Sequence, residues 1–497
     1  MSSSNSFDSI RLKSLENLHT SSGTFCTDSH GNKTSFGEFL NLINTIRFNF
    51  PKKKTRIAIL AEKSCMHYSA IIATVFSGNT WVPLSLDMPT ERIMDILTLA
   101  APDVLLTSHK FPPAELGRFQ SLVSSVLFFE DMVGFKGNQV TDWRKIRNTD
   151  IAIIYFTSGS TGKPKGVKIS FLNISAALTS ITPIIGSKKL VWGDYHDLSF
   201  VISINILFTC LYCNGRIFCA NDRYDQISPN KSLVKNKVSC LVTVPSTLER
   251  MRRAKNFFSV FKSLTIVASC GEPLPLDLLK EFISRKKIKV FNFYGSTEIT
   301  TWAFYHRCLY SDLKTFSNYG YAPLGEIISG NNFLISSDGL LLISGPQVTP
   351  GYIGEPEKSH LIELDGQEWF SMGDFVDVMH GKIICKGRQD NQIKLSGYRI
   401  HLMDIEAQLR KLSGVEAAIC YLSNGIEKSD KSDQKITAVL FTDGTFSLSY
   451  VRKKLQRFLP SYMLPRKVFC IKKISFNKNG KIDRLGIINR LNAGEID

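Results

Sequence analysis

The chain has 497 residues, of which 43% are hydrophobic and 21% charged, a composition typical of folded globular proteins and not of disordered ones. This length predicts more than one packed unit. The formal net charge of +17 predicts a surface that attracts anions or acidic proteins. Because lysines and arginines are spread along the chain without a known nucleic-acid-binding motif, we expect an acidic protein partner and no nucleic acid.

Membrane insertion and secretion are not expected. The N-terminal residues contain neither an apolar core nor an early basic cluster, so they do not resemble a secretory signal. The longest apolar run, residues 198–213, is interrupted by polar residues and is shorter than the roughly 20 residues that span a bilayer, which predicts a buried helix. The 11 cysteines are scattered without paired spacing, which favours reduced thiols in the cytoplasm over zinc or a disulfide framework.

Short apolar runs alternate with amphipathic stretches over the first 310 residues. This alternation predicts parallel sheets covered by helices, and so an α/β fold. The predicted strands are residues 57–60, 104–106, 125–129, 151–156 and 238–244, and the predicted helices include residues 65–77 and 92–101.

The pattern changes after residue 310. Residues 332–336, 339–344 and 382–386 are short apolar runs between glycine-containing turns, which predicts a small antiparallel sheet. Beyond residue 390 the sequence predicts a compact α+β unit with helices at 404–412 and 448–458 and strands at 415–422 and 436–441. We therefore predict an N-terminal domain of residues 1–388 and a C-terminal domain of residues 389–497.

The strongest local signal is a glycine- and hydroxyl-rich loop after the strand at 151–156. Residues 157–166 read TSGSTGKPKG, with three glycines, four hydroxyls and two lysines. Glycines allow the backbone to approach a ligand closely, while hydroxyl, lysine and main-chain N–H groups suit phosphate oxygens. The loop is not a Walker A motif, because Pro164 follows Lys163. The alternative is a flexible linker, which rarely follows a buried strand.

This loop resembles the signature of the adenylate-forming enzymes, which include acyl-CoA synthetases and the adenylation domains of peptide synthetases. Further motifs resemble those of the same family and occur in its order along nearly the whole chain. They are residues 81–93, 292–298, 345–352, 371–374, 387–400 and 479–484. The resemblance implies a large N-terminal domain with a mobile C-terminal domain that rotates between two reaction steps.

The family's nucleotide-binding residues map onto this sequence one by one. The resemblance implies that ATP is bound by Thr157, Ser158, Gly159, Ser160, Thr161, Gly162, Lys163, Gly166, Gly271, Glu272, Asn292, Phe293, Tyr294, Gly295, Ser296, Thr297, Asp374 and Arg388. Within that set Tyr294 would stack on adenine, Thr297 would donate to the α-phosphate and Asp374 would accept from the ribose hydroxyls.

Three charged residues are implied to be catalytic: Lys165, Glu298 and Lys481. Glu298 is also the implied Mg²⁺ ligand. Lys481 would neutralise charge that develops between the carboxylate and the α-phosphate. Asp390 matches the hinge position. Taken alone, each of these residues has a commoner structural interpretation, for example an exposed hairpin lysine for Lys481, which follows Asn479 and Gly480.

The family reaction has two steps. A carboxylate attacks the α-phosphate of ATP and gives an acyl-adenylate and pyrophosphate. A thiol, usually of a phosphopantetheine arm, then takes the acyl group as a thioester.

Asp197 indicates which carboxylic acid is activated. In amino-acid-activating members an aspartate at the matching position pairs with the substrate ammonium, whereas fatty-acid and aryl-acid activators usually lack it. The structural alternative is a helix N-cap, because a helical run follows. The other implied substrate-binding residues are Cys270, Gly295 and Thr301.

Four stretches are most similar to the D-alanine–D-alanyl carrier protein ligases: residues 196–199, 269–272, 392–399 and 459–467. The resemblance therefore implies a stand-alone, monomeric enzyme that loads a small amino acid, best D-alanine, onto an acidic carrier protein in trans. Ser85, His196, Trp302 and Met372 depart from the family pattern, and Trp302 would alter the substrate pocket. Competing functions are an acyl-CoA or aryl-acid synthetase of the same fold, a catalytically inactive scaffold, and a nucleic-acid-binding protein, which the net charge alone suggests.

Overall fold

The computed structural model describes residues 6–134, 143–158, 164–185, 189–285, 287–356, 359–389, 392–423, 434–472, 475 and 482–495. None of the helices in these ranges is both long and apolar enough to cross a bilayer. The chain divides into two compact units. The first comprises Met1–Leu86, Leu97–Phe156 and Gly166–Gln389, and the second comprises Asp87–Ile96, Thr157–Lys165 and Asp390–Asp497.

The described strands run in chain order from the N-terminal unit to the C-terminal one. They are β1 Thr24–Asp28, β2 Lys33–Ser35, β3 Arg56–Ile59, β4 Thr80–Pro83, β5 Val104–Thr107, β6 Ser125–Phe128, β7 Ile151–Ser158, β8 Pro164–Ser170, β9 Val191–Asp194, β10 Arg216–Cys219, β11 Cys240–Thr243, β12 Ile266–Cys270, β13 Lys289–Tyr294, β14 Phe304–Arg307, β15 Glu326–Ile327, β16 Asn332–Ile335, β17 Leu340–Ser344, β18 Leu361–Leu364, β19 Gln367–Met379, β20 Lys382–Arg388, β21 Gln392–Leu395, β22 Tyr398–His401, β23 Ala417–Ser423, β24 Lys435–Phe441 and β25 Lys467–Ile471.

The described helices lie between these strands. They are α1 Phe7–Thr20, α2 Phe36–Phe48, α3 Cys65–Phe76, α4 Thr90–Ala100, α5 Pro113–Gln120, α6 Phe171–Ile185, α7 Val201–Tyr212, α8 Arg223–Ile227, α9 Asn230–Lys235, α10 Pro245–Arg253, α11 Leu276–Ile283, α12 Asp312–Thr315, α13 Leu402–Leu409, α14 Leu448–Leu455 and α15 Arg484–Asn492.

Two large sheets dominate the first unit. One has the strand order β15-β14-β13-β12-β11-β9-β10-β1-β2, and its inner strands β13 to β1 are mutually parallel. The other has the order β6-β5-β3-β4-β7-β8, with parallel pairing from β6 to β7. A third, antiparallel sheet contains β16 to β20. The predicted α/β class with helix-covered parallel sheets and a small antiparallel sheet is confirmed.

A continuous apolar core joins the two large sheets. Helix α7 lies in it, with ten of its twelve residues buried. The run at 198–213 is therefore a buried helix as predicted, although regular helix begins only at Val201. A helix that is buried on every face needs apolar residues on all sides, and most residues of α7 are apolar.

The second unit has an α+β arrangement. Strands β23 and β24 are antiparallel, β25 joins β24 in parallel, and a separate hairpin pairs β21 with β22. The predicted helix at 404–412 is observed as α13, two residues earlier, and the predicted helix at 448–458 is observed as α14, which ends at Leu455.

Candidate active site

The polar residues of the first unit gather where parallel strands of the nine-stranded sheet end. The turn with Asp197 follows β9, Cys270 ends β12, and Tyr294 ends β13. Parallel strands place their carboxyl ends at one edge, which is where ligands bind in open α/β sheets. The fold thus brings together residues that lie a hundred positions apart in the sequence.

The first group, called here the nucleotide cluster, consists of Tyr294, Asp374 and Arg388. The Tyr294 hydroxyl donates to Asp374 Oδ2 at 2.5 Å, and Arg388 Nη1 donates to the same oxygen at 2.9 Å. Asp374 on β19 lies opposite Arg388 on β20 in the strand register, so the pair is set by the sheet itself. Both contacts fall on Oδ2, and a carboxylate offers about four lone-pair sites. The arrangement leaves acceptor capacity for two further donors.

The ring of Tyr294 is only 6% exposed and meets Phe304 edge-on. Burial, reinforced by the adjacent Asp374 carboxylate, raises the pKa of Tyr294 well above its usual range. The hydroxyl therefore stays protonated and donates to Asp374 at any physiological pH.

Glu298 lies in a 3₁₀ turn, Thr297–Ile299, directly after β13. Its side chain is 3% exposed, and Tyr352 donates to its Oε1 at 3.4 Å. Nearby, the buried hydroxyl of Ser296 has no hydrogen-bond partner among the described residues. Glu298 and Ser296, two residues apart in the chain, carry hard oxygen donors of the kind that suit Mg²⁺.

The segment 345–352 anchors this turn. Thr349 N donates to Glu298 O at 2.7 Å, while Thr349 Oγ1 donates to Lys168 O on β8 at 2.6 Å. The buried side-chain amide of Gln347 donates to Trp302 O at 3.0 Å, and the main-chain O of Gln347 accepts from Thr300 Oγ1 at 2.9 Å. No residue of this motif was predicted to bind or catalyse, yet its buried Gln347 holds the chain that follows Glu298.

The chain after Glu298 is strained. Thr300 and Thr301 have φ of 49° and 93°, values that are rare for β-branched residues. The hydroxyl of Thr301 is buried without a hydrogen-bond partner among the described residues. A Cβ on Gly295 would lie 2.1 Å from Thr301 O, so position 295 requires glycine.

Asp197 is held by serines on both sides. Its Oδ2 accepts from Ser85 Oγ at 2.6 Å, and its Oδ1 accepts from Ser199 N at 2.8 Å and Ser199 Oγ at 2.6 Å. The departure at Ser85 thus places a hydroxyl against the carboxylate. With about four lone-pair sites, the half-buried carboxylate retains room for one more donor.

The N-cap interpretation of Asp197 is wrong. Phe200 is the N-cap of α7, and it makes no side-chain capping hydrogen bond. The Asp197 carboxylate instead closes an Asx turn onto Ser199, two residues before the helix. Its other oxygen is therefore directed at Ser85 and not at the helix terminus.

Asp194 and Lys63 were missed by sequence reasoning. Asp194 has no exposed surface, and Lys63 Nζ lies 3.1 Å from its Oδ1. Tyr68 donates to the other oxygen at 2.6 Å. Lys63 Nζ also donates to Asp194 O at 2.8 Å and His196 O at 2.6 Å, which fixes the turn before Asp197. We call Lys63, Asp194 and Asp197 the amine cluster.

His67 lies beside this cluster. It is 2% exposed, and neither ring nitrogen makes a hydrogen bond of normal geometry with a described residue. Burial lowers the pKa of His67 to about 4, and the charge of Asp197 offsets only part of that effect. The imidazole is therefore neutral at pH 7. His196, another departure, bonds to Val242 O at 3.0 Å, and burial lowers its pKa as well.

Cys270, Phe293 and Trp302 belong to one buried apolar cluster that also contains Leu198. The rings of Phe293 and Trp302 stack with centroids 4.3 Å apart. Cys270 Sγ lies 3.7 Å from Thr243 O. The departure at Trp302 therefore fills space with a ring beside the predicted substrate residues, which favours a small side chain. Phe293, predicted at the nucleotide, contributes its side chain to this group.

The remaining nucleotide predictions fall on structural contacts. Glu272 accepts from Ser246 N at 2.9 Å, near the start of α10, and Gly271 before it has φ of 83°. Asn292 donates to Pro323 O at 2.9 Å. Met372 is a buried member of the apolar cluster that contains Tyr294.

Strands β7 and β8 border the predicted phosphate loop. Thr157 and Lys165 are half-buried at their ends. A Cβ on Gly166 would lie 3.1 Å from the ring of Phe156 and 3.3 Å from Ile154 Cγ2, so a larger residue would crowd these two side chains. Ser158 ends β7. Gly159, Ser160, Thr161, Gly162, Lys163, Asp390 and Lys481 lie outside the described residues, so their roles stay predictions.

Comparison with known proteins adds the family. A family model described as AMP-binding enzyme matches residues 44–353, more than half of the chain. D-alanine–D-alanyl carrier protein ligase of Bacillus cereus (strain ATCC 10987 / NRS 248) is 26% identical over 476 residues, which cover 91% of this chain and 92% of the relative. The same-named protein of Bacillus thuringiensis (strain Al Hakam) is equally similar.

Solved structures share the fold. The Vibrio cholerae adenylation domain AlmE, in complex with glycyl-adenosine-5'-phosphate, has a TM-score of 0.82 at 20% identity and covers 98% of this chain and 97% of its own. An o-succinylbenzoate CoA synthetase of Bacillus subtilis has a TM-score of 0.79 at 18% identity, with 96% and 98% covered. The predicted resemblance is confirmed: the chain belongs to the AMP-binding enzyme family and is an AMP-forming ligase of the adenylate-forming superfamily.

Proposed function

We propose that this enzyme activates a small amino acid, with D-alanine as the first candidate, and transfers it to the phosphopantetheine thiol of a carrier protein. One carboxylate oxygen of the amino acid attacks the α-phosphorus of ATP, and the bond to the β-phosphate oxygen breaks to release pyrophosphate. The thiol then attacks the acyl carbon, loses its proton and displaces AMP. We expect the reaction in the cytoplasm, where ATP is available.

The observation that carries the proposal is the setting of Asp197. Its carboxylate is half-buried and oriented by Ser85 and Ser199 at 2.6 to 2.8 Å, and it retains acceptor capacity. A substrate ammonium supplies the opposite charge that such a carboxylate requires. The names of the bacterial relatives, which act on D-alanine and a carrier protein, support the same substrate class.

The nucleotide cluster supports the choice of ATP. Asp374 would accept from the ribose hydroxyls, and Arg388 would contribute positive charge close to the phosphates. A Mg²⁺ ion, when bound, would neutralise phosphate charge, and Glu298 would hold it. Lys165 and Lys481 are proposed to stabilise charge at the α-phosphate. The formal net charge of +17 suits an acidic carrier.

The test is amino-acid-dependent exchange of pyrophosphate into ATP. The panel contains D- and L-amino acids together with acetate, a fatty acid and an aryl acid. We expect exchange with D-alanine or another small amino acid, and a loss of at least a hundredfold in Asp197→Asn. The matched control is Asp222→Asn, since Asp222 only caps α8 and asparagine caps equally well.

Other outcomes lead to other functions. If exchange occurs only with acids that lack an amine, and at the same rate in wild type and Asp197→Asn, the enzyme belongs to the acyl or aryl branch. Absence of exchange with every acid, from protein that binds ATP, would favour an inactive scaffold. The second step is tested by loading a purified phosphopantetheinylated carrier, measured by intact mass. The same assay with free coenzyme A shows which of the two thiols is the acceptor.

A further inference from the structure

Two aspartates three residues apart, Asp194 and Asp197, face the same region but have different partners. Asp194 is fully buried and paired with Lys63, whose side chain is 9% exposed. Asp197 is held by uncharged serine groups. The described ion pairs therefore place the cation on the first aspartate and not on the second.

The Lys63 ammonium contacts the residue that precedes Asp197. Its Nζ donates to the carbonyl of His196, the residue that precedes Asp197, at 2.6 Å. Lysine has a long flexible stem with three rotatable donors, so a rotation of the side chain can carry the ammonium from one acceptor to another. Asp194 opposes this rotation, because it accepts from Lys63 while Tyr68 and His196 N hold its carboxylate in place at 2.6 and 3.2 Å.

The charges of the neighbourhood do not balance. Lys63 contributes one positive charge, and Asp194 and Asp197 contribute two negative charges. The pKa of His67 lies at about 4, and burial raises the pKa values of Tyr68 and Tyr155 well above their usual range, so all three rings are uncharged at pH 7. The amine cluster thus has a net charge of −1. An unpaired charge in a buried or half-buried position is costly.

We propose that Asp194 is a specificity-determining residue: it holds the Lys63 ammonium away from Asp197, so that Asp197 remains open to the α-ammonium of the substrate. This inference rests on the proposed function. The Lys63 ammonium is part of the same chain as Asp197, so its effective concentration there would be high. It would therefore compete strongly with a substrate present at millimolar concentration. Asp194 therefore acts on selectivity for the amine through Lys63 and does not itself contact the substrate.

The test compares acids that differ only in the amine. Pyrophosphate exchange is measured with D-alanine and propionate, or with glycine and acetate if glycine is the better substrate. The proteins are wild type, Asp194→Asn, Lys63→Met and the double variant. The readout is the ratio of kcat/KM for the amino acid to kcat/KM for the acid without the amine, a quantity that general loss of folded protein does not change.

We expect Asp194→Asn to lower this ratio at least tenfold, because the released lysine neutralises Asp197. Lys63→Met shows separately what the contacts of Lys63 with the turn contribute, and the double variant should keep the ratio within about threefold of Lys63→Met, since neither contains the competing ammonium. A ratio unchanged in Asp194→Asn, or no lower there than in the double variant, would overturn the inference. If Asp194→Asn does not fold, a double variant at least tenfold less selective than Lys63→Met would overturn it instead, because Asp194 would then act without the lysine.

The two proposals fail in different ways. If wild type exchanges with no amino acid, or if Asp197→Asn leaves exchange unchanged, the proposed function itself is wrong. If wild type depends on Asp197 and the ratio in Asp194→Asn stays at the wild-type value, only the role of Asp194 is wrong.

Discussion

The nucleotide cluster and the amine cluster solve opposite electrostatic problems. In the nucleotide cluster one carboxylate meets one guanidinium across a strand pair, so its charges balance before any ligand arrives. In the amine cluster two carboxylates share one ammonium within a turn. Under the proposed function, the ribose is bound where the protein charges already balance, whereas the substrate ammonium is bound where the protein carries an extra negative charge.

Among the variants that separate the two clusters, the largest effect is expected from Asp374→Ala. This change removes the proposed acceptor of the ribose hydroxyls and leaves Tyr294 and Arg388 without their shared partner, so kcat/KM for ATP should fall roughly a hundredfold, which corresponds to about 3 kcal/mol. Selectivity between D-alanine and propionate should not change. Asp377→Asn, an exposed position on the same strand, is the control. A selectivity change in Asp374→Ala would mean that the two clusters are not independent.

Gly295→Ala tests the junction between the clusters. The new Cβ would lie 2.1 Å from Thr301 O and 2.7 Å from Trp302 Cα, so backbone must move. We expect a cost of about 1–3 kcal/mol in stability. Because the chain at Thr301 and Trp302 must shift, amino-acid kcat/KM should also fall, by about thirtyfold for a displacement that costs about 2 kcal/mol of transition-state binding. Gly37→Ala in α2, where nothing lies within 4 Å, should leave both quantities nearly unchanged.

The pH dependence of the free energy of unfolding should show the contribution of the buried, neutral His67. Above pH 6.5 its imidazole is neutral in folded and unfolded protein alike. Between pH 6.5 and 4 only the unfolded chain takes up the proton, so stability falls by up to about 3 kcal/mol. Denaturant unfolding of His67→Gln across this range should show a shallower loss, with pH 8 as the reference. Equal slopes in variant and wild type would contradict the burial argument.

The smallest effect is expected from Ser85→Ala. It removes one of three described hydrogen bonds to Asp197, worth about 1.5 kcal/mol for a charged acceptor, or roughly tenfold in amino-acid KM. ATP KM should stay constant. Ser180→Ala, which removes only a helix-internal contact, provides the comparison. An increase in ATP KM of the same size would mean that Ser85 does not act through Asp197 alone.

Local motifs predicted much of this site, whereas its long-range partners were not predictable from the sequence. Asp197, Glu298 and Asp374 each lie in a short recognisable pattern, and alternating apolar runs indicated the parallel sheets. The pairing of Lys63 with Asp194 joins residues 131 positions apart, and no periodicity signals it. The alternative of an N-cap at Asp197 is wrong because its carboxylate accepts from Ser199, and regular helix begins only after Phe200.

The order of strands in the nine-stranded sheet has a consequence for synthesis on the ribosome. Strand β1 near the N-terminus pairs with β10. Cys26 can therefore form its strand pair with Ile217 only after the ribosome has added the residues between them. At the usual 5–20 residues per second, that delay is roughly 10–40 s. During this time the edge of the β1–β2 hairpin and the apolar side chain of Phe25 lack their native cover, and exposed edges of this kind promote aggregation. The yield of folded enzyme should therefore depend on chaperones that act early on the nascent chain.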